Sequence, residues 1–104
     1  MQYITVVITS PDKEASKKIT DCLLKNKLVS CVSIIPAIKS VYWWNNKINR
    51  AKEQMLICKS KKTNFKKITD AVKKNHPYKV PEIVCFEIKD GSKDYLEWIK
   101  NTVL

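Results

Sequence analysis

The sequence predicts an α+β fold, a ferredoxin-like split βαβ sandwich in which helices cover one face of an antiparallel sheet. Three observations predict it. Hydrophobic patterns along the chain follow the order βαββαβ, with one further helix at the C-terminal end. The 104 residues suit one core, so residues 1–104 are expected to form a single domain. Hydrophobic residues make up 44% of the chain beside a single glycine, which is typical of a packed protein rather than a disordered one.

The first strand and helix are predicted at the N-terminal end. The β-branched run from Tyr3 to Thr9 has scarcely a polar break, which predicts a central strand buried on both faces. Ser10 is expected to cap a helix, with Pro11 at its first position and Asp12 as an acid in its first turn. This helix should end near Asn26. Its inward stripe is predicted to comprise Ala15, Ile19, Cys22 and Leu23.

A long hairpin is predicted next. The segment from Leu28 to Trp44 is rich in strand formers, and Pro36 within it indicates a bulge or an edge position because proline cannot donate to the ladder. Asn45 and Asn46 should form the turn, since asparagine tolerates positive φ, before a return strand from Lys47 to about Ser60. Arms of roughly 14 residues would reach about 45 Å, far beyond the radius of gyration of about 13 Å expected for such a domain.

The tip of this hairpin carries large apolar side chains, Tyr42, Trp43 and Trp44, at the place farthest from the core. Exposed strand edges and aromatic patches mark association sites, and head-to-tail contacts between identical chains can close into rings. We therefore expect a closed cyclic homo-oligomer. A stacking platform for bases or a small aromatic ligand is the alternative role of Trp43 and Trp44.

The second half of the chain repeats the strand–helix pattern. Thr63 is expected to cap a helix that His76 ends, because the residue before a proline is pushed out of the α region. A fourth strand should run from Glu82 to Ile88, and Ser92 should start the last helix. The inward residues of the two helices are predicted to be Phe65, Ile68 and Val72, then Tyr95, Leu96, Ile99 and Val103.

Charge and composition exclude several classes of function. The formal net charge is +10, and Arg50 is the only arginine among 20 basic residues. Because arginine is the usual residue for bidentate recognition of bases and phosphates, no specific nucleic-acid partner is expected, whereas non-specific attraction of anions stays open. One glycine is too few for a glycine-rich phosphate loop. Neither a signal peptide nor a membrane-spanning run is recognisable, so no membrane partner is expected.

The cysteines predict reduced thiols. The chain has four cysteines, Cys22, Cys31, Cys58 and Cys85. No two of them form a C-x-x-C pair, which argues against a zinc finger. Each lies in an apolar stretch, which favours reduced thiols in the cytoplasm. Nucleophilic catalysis would need a base beside a cysteine or serine, and the chain has one histidine. The protein is therefore predicted not to be an enzyme.

That histidine, His76, is the candidate site residue. It precedes a segment in which Pro77 and Pro81 each fix φ, with Tyr78 and Glu82 beside them. One interpretation is a rigid turn into the fourth strand, with the imidazole at a helix C-terminus. The other is a preorganised ligand site, because an imidazole with a nearby thiol or carboxylate suits copper or zinc.

Five segments carry a family resemblance: TSPD, LVSCVSIIPAIKSVYWWNNKI, ICKSK, HPYKVPEIV and DYLEWI. Together they resemble the CutA divalent-cation tolerance family over almost the whole chain. The resemblance implies a homotrimer of ferredoxin-like subunits with interlocking hairpins, and kinship in shape with the PII signalling proteins, which bind small ligands between subunits. It also implies copper binding through a strand-one cysteine and two histidines before the Pro-Tyr. Here Ile8 and Asn75 occupy two of those positions, and only His76 matches.

The leading hypothesis is thus a non-catalytic homotrimer that responds to metal ions and binds copper or another divalent cation near His76 and Glu82, helped by Tyr78 or a neighbour's thiol. The alternative is a PII-like regulatory module that holds a small anionic ligand in intersubunit clefts. Its motivation is the net charge of +10. The residues expected in such a cleft or interface are Tyr42, Trp43, Trp44, Lys59 and Tyr78.

Overall fold

The computed structural model describes all residues 1–104 in the order βαββαβα. The strands are β1 (Tyr3–Ser10), β2 (Cys31–Trp44), β3 (Lys47–Lys61) and β4 (Ile83–Glu87). The helices are α1 (Lys13–Lys25), α2 (Phe65–Asn75) and α3 (Lys93–Thr102), and a 3-10 turn (Lys62–Asn64) leads into α2. The predicted α+β class and ferredoxin-like order are confirmed.

The sheet is antiparallel, with strand order β2-β3-β1-β4, so β1 is central as predicted. Its side chains alternate: Ile4, Val6 and Ile8 are buried beneath the helices, whereas Tyr3, Thr5 and Val7 on the other face are only half-buried. The prediction of burial on both faces is therefore wrong for a single chain, because α1 and α2 cover one face only. One core of eleven buried residues joins the sheet to these two helices.

Two helix starts differ from the prediction. Ser10 still pairs with Gln54 in the sheet, so the N-cap of α1 is Asp12, whose Oδ1 accepts a hydrogen bond of 2.8 Å from the Ala15 N–H. Thr63 lies within the 3-10 turn and does not cap α2, which begins at Phe65. The predicted ends, at Asn26 and His76, are confirmed.

The hairpin matches its predicted turn and arm length, although β2 begins at Cys31 rather than at Leu28. Its arms have 14 and 15 residues, and Asn45 and Asn46 turn the chain with φ of 51° and 60°. The pairing register shifts between Ile35 and Ile38, which places a bulge at Pro36. Because the outer half of the hairpin extends beyond the helices, the molecule measures 44 × 26 × 22 Å.

Helix α3 buries less than predicted. Ile99 and Val103 are buried and Leu96 is half-buried, but Tyr95 is 41% exposed and contacts Trp98 with 5.5 Å between ring centroids. The Tyr95 hydroxyl lies 3.8 Å from the sulfur of Cys31, at the beginning of β2. The longest helix, α1, has 13 residues, and no helix in the chain is both long and apolar enough to cross a bilayer.

Candidate functional site

The loop between α2 and β4 begins with a histidine whose two ring nitrogens are both hydrogen-bonded. Pro77 forces His76 into extended backbone, and the ring is buried. Its Nδ1 accepts a hydrogen bond of 3.1 Å from the Tyr78 N–H. The hydrogen therefore sits on Nε2, which donates to the Thr9 carbonyl at 2.7 Å. His76 thus attaches the loop to the end of β1.

This geometry bears on the expected metal site. A metal needs a ring nitrogen with a free lone pair, and His76 offers none in this arrangement. Ile8 is fully buried in the core, and the Asn75 amide donates to the Ala71 carbonyl at 2.8 Å. Glu82 is exposed. Nowhere does the chain group three His, Cys, Asp or Glu side chains that could hold a metal ion. Within one chain, the copper site that the resemblance implies does not fit.

The same loop and the outer half of the hairpin enclose a cleft of about 640 Å³. Three aromatic and three charged side chains are among those that line it: Tyr42, Trp44 and Tyr78, and Glu53, Lys79 and Glu82. Thr9 and Ser40 add hydroxyl groups. A cleft of this size and mixed lining admits a small organic molecule.

Glu53 is the buried charge of this cleft. Glu53 is only 6% exposed, and its Oε2 accepts a hydrogen bond of 3.0 Å from the Tyr78 hydroxyl. Burial, together with the hydrogen bond and the negative charge of Glu53, raises the pKa of Tyr78 to about 12. The Tyr78 ring also contacts His76, with 5.0 Å between ring centroids. A continuous set of contacts therefore joins β1, the loop and β3.

The structure divides the predicted cleft residues. Tyr42, Trp44 and Tyr78 line one cleft, but Trp43 and Lys59 do not. Adjacent strand residues point to opposite faces, so Trp43 turns away from Trp44 and is 71% exposed. Lys59 lies near the other end of β3, opposite Cys31. With two carboxylates and one lysine in the lining, the cleft does not favour the anionic ligand of the alternative hypothesis.

Sequence reasoning missed Glu53. The available signal was the pair Glu53-Gln54 directly before the apolar run MLIC of a predicted strand, because polar residues that become buried in a strand require partners. Gln54 has one: its Nε2 donates to the Pro36 carbonyl at 3.2 Å, across the bulge.

Sequence comparison identifies the family. The model of the family described as "CutA1 divalent ion tolerance protein" matches residues 4–102. The chain belongs to the CutA1 divalent ion tolerance family. This confirms the resemblance stated above.

Individual CutA proteins agree with this membership. The divalent-cation tolerance protein CutA of Thermus thermophilus is 37% identical over 91% of this chain and 92% of its own length. The chloroplastic protein CutA 1 of Oryza sativa is 43% identical over 95% of this chain. The chain spans 56% of the length of that rice relative. The crystal structure of CutA1 from Oryza sativa matches with a TM-score of 0.97 at 41% identity, covering 100% of this chain and 95% of the other.

Proposed function

We propose that this protein acts in divalent-cation tolerance as a non-catalytic homotrimer that binds copper or another divalent cation. One observation carries the proposal: the CutA1 family model matches residues 4–102, and a relative covered over 92% of its length is named for divalent-cation tolerance. The structure adds separate support for the assembly and for the absence of catalysis.

The two edges of the sheet support a cyclic assembly. β2 and β4 are the edge strands, and each exposes large apolar side chains: Ile34 and Ile35 on β2, Val84 and Phe86 on β4. Exposed apolar edges of this kind are rare on stable monomers. Different surfaces at the two edges suit a head-to-tail contact, and such contacts close into a ring when the rotation permits. We assign three subunits from the family resemblance.

The outer half of the hairpin supports the same assembly. Val41, Trp43 and Ile48 are each more than half exposed, at the end of an arm with no helix above it. Isolated two-stranded ribbons are marginally stable in water. Packing against neighbouring subunits would bury these side chains and stabilise the arm.

The histidine geometry supports a role without catalysis. His76 is the only histidine, and both its ring nitrogens are engaged in hydrogen bonds within the subunit. It therefore has no free nitrogen with which to remove a proton from a nucleophile. The four cysteines are unpaired thiols, which supports a reducing compartment, and we propose the cytoplasm.

The proposed cation site involves more than one subunit. Glu82 is exposed at the cleft and free to ligate, but a single carboxylate is a weak site for a divalent cation. Donors from a neighbouring subunit would complete it. His76 could join only if its ring gave up the hydrogen bond from the Tyr78 N–H or the one to Thr9.

Native mass spectrometry tests this proposal. Protein purified without chelator would be exposed to stoichiometric copper or zinc, and one spectrum would give subunit count and bound metal. We expect a trimer with up to three metal ions, and loss of metal in Glu82→Gln but not in Glu97→Gln, an exposed carboxylate on α3. A monomer in the spectrum would contradict the proposed homotrimer. A trimer that takes up neither copper nor zinc would contradict the proposed cation binding.

A further inference from the structure

We propose that the cleft between the hairpin and the loop before β4 binds a small organic ammonium ion. The cleft combines a buried carboxylate, Glu53, with three aromatic side chains, Tyr42, Trp44 and Tyr78. Aromatic rings attract ammonium groups through the negative potential of their faces, and a carboxylate supplies the opposite charge. This inference goes beyond cation tolerance and does not depend on a bound metal.

The first argument is the isolation of Glu53. The chain carries 20 basic residues, yet its only two ion pairs are Lys17–Asp21 and Lys66–Asp70, both on exposed helix surfaces. Glu53 is the most buried acidic residue of the chain, and no lysine or arginine pairs with it. A buried carboxylate normally requires a cationic partner or several hydrogen bonds. A ligand cation would supply that partner.

The second argument is the unused hydrogen-bonding capacity of this carboxylate. Oε2 accepts a hydrogen bond from the Tyr78 hydroxyl, but Oε1 accepts none. Tyr78 therefore fixes the carboxylate and leaves one oxygen for a ligand at the cleft. The hydroxyl of Ser40, on the hairpin side of the cleft, is a further acceptor for an ammonium N–H.

The third argument distinguishes an organic cation from a metal ion or an anion. Divalent metals select several oxygen, nitrogen or sulfur donors, and no three His, Cys, Asp or Glu side chains are grouped here. Aromatic walls contribute nothing to such a site, whereas they favour weakly hydrated organic cations. An anion would meet Glu53 and Glu82 against Lys79 alone.

Calorimetric titration of the chelator-treated protein tests the proposal. The probes are choline, as a methylated ammonium ion, ethanolamine, as a primary one, and the neutral choline isostere in which carbon replaces nitrogen. We expect choline or ethanolamine to bind and the isostere to bind at least about tenfold more weakly, because it lacks the charge that Glu53 pairs with. The two ammonium probes separate an aromatic cage from hydrogen bonding to the carboxylate.

Matched variants locate the site. Glu53→Gln and Trp44→Leu should each weaken binding by about tenfold or more, whereas Trp43→Leu, at the neighbouring position outside the cleft, should leave it unchanged. If Glu53→Gln fails to fold, the isostere comparison on the native protein still decides. Three outcomes would each overturn the proposal. The first is equal binding of choline and its isostere, and the second is binding that survives both Trp44→Leu and Glu53→Gln. The third is that neither ammonium ion binds, as expected if a neighbouring subunit fills the cleft. Metal uptake in the mass spectrum is a separate readout and does not affect this result.

Discussion

His76 Nε2 donates a 2.7 Å hydrogen bond to the carbonyl oxygen of Thr9, a residue 67 positions earlier in the chain. The contact fixes the start of the cleft loop to the end of the central strand. It also uses one of the two ring nitrogens through which a histidine can bind a metal. A residue that resembles a family ligand thus has a structural role within the single subunit.

His76→Ala should lower the free energy of unfolding by about 1–3 kcal/mol, because it leaves the Thr9 carbonyl and the Tyr78 N–H without partners. Denaturant unfolding at fixed protein concentration measures the loss. His76→Gln can retain a donor toward Thr9 and should recover part of it. An alanine variant as stable as the native protein would show that the two hydrogen bonds contribute nothing to stability.

Tyr78 should ionise only well above pH 10 in an absorbance titration, because its pKa is raised from 10.0 to about 12 by burial and by Glu53. The protonated phenol is favoured in the folded state, so its contribution is complete below pH 10 and is lost as the pH rises through 12. The absorbance change that is lost in Tyr78→Phe identifies the ionisation of Tyr78. Glu53→Gln should shift this ionisation to lower pH. An unchanged titration curve would show that Glu53 does not raise the pKa of Tyr78.

Cys58 should be the least reactive thiol. Burial raises its pKa from 9.0 to about 12, with a smaller contribution from the nearby Cys31, so little thiolate forms in neutral solution. The other three cysteines are half-buried. Alkylation followed by peptide mass spectrometry should therefore label Cys58 last in the native protein and equally with the others in denaturant. Early labelling of Cys58 would mean that the core opens readily.

Deleting the hairpin tip, residues 41–48, should abolish the proposed trimer and give a monomer or insoluble protein. The deletion removes the exposed Trp43 and Ile48 together with the turn. Sedimentation velocity measures the oligomeric state of the shortened protein. The matched control is Asn46→Gly, which suits the positive φ of 60° at that position and should leave the assembly intact. A soluble trimer without the tip would show that the arms do not hold the subunits together.

The sequence predicts the hairpin well because its signals are local. Asn45 and Asn46 determine the turn through their own backbone preferences, and Pro36 marks the bulge through its missing N–H. The start of α1 was missed because Ser10 keeps a place in the sheet ladder, which depends on Gln54 far along the chain. Local capping preference carries no information about that pairing.

The cleft was predicted only in part, for the same physical reason. Tyr42, Trp44 and Tyr78 could be selected by residue type, but their meeting with Glu53 depends on strand register and on a contact between positions 25 residues apart. The engagement of both His76 nitrogens likewise depends on where the Thr9 carbonyl lies. Tertiary contacts of this kind leave no trace in hydrophobic periodicity.

The bulge lets the turn determine the face of each tryptophan. Pro36 and Ala37 together oppose one residue of β3, so from Ile38 onward the even-numbered residues of β2 share the face of Glu53. The turn pairs Trp44 with Lys47, and the ladder from there back to Ile38 and Glu53 is regular. Removing Ala37 would therefore abolish the bulge and leave Trp43 and Trp44 on their present faces. A change of chain length at the bulge is absorbed there, so the membership of the cleft is decided at the tip of the hairpin rather than at its base.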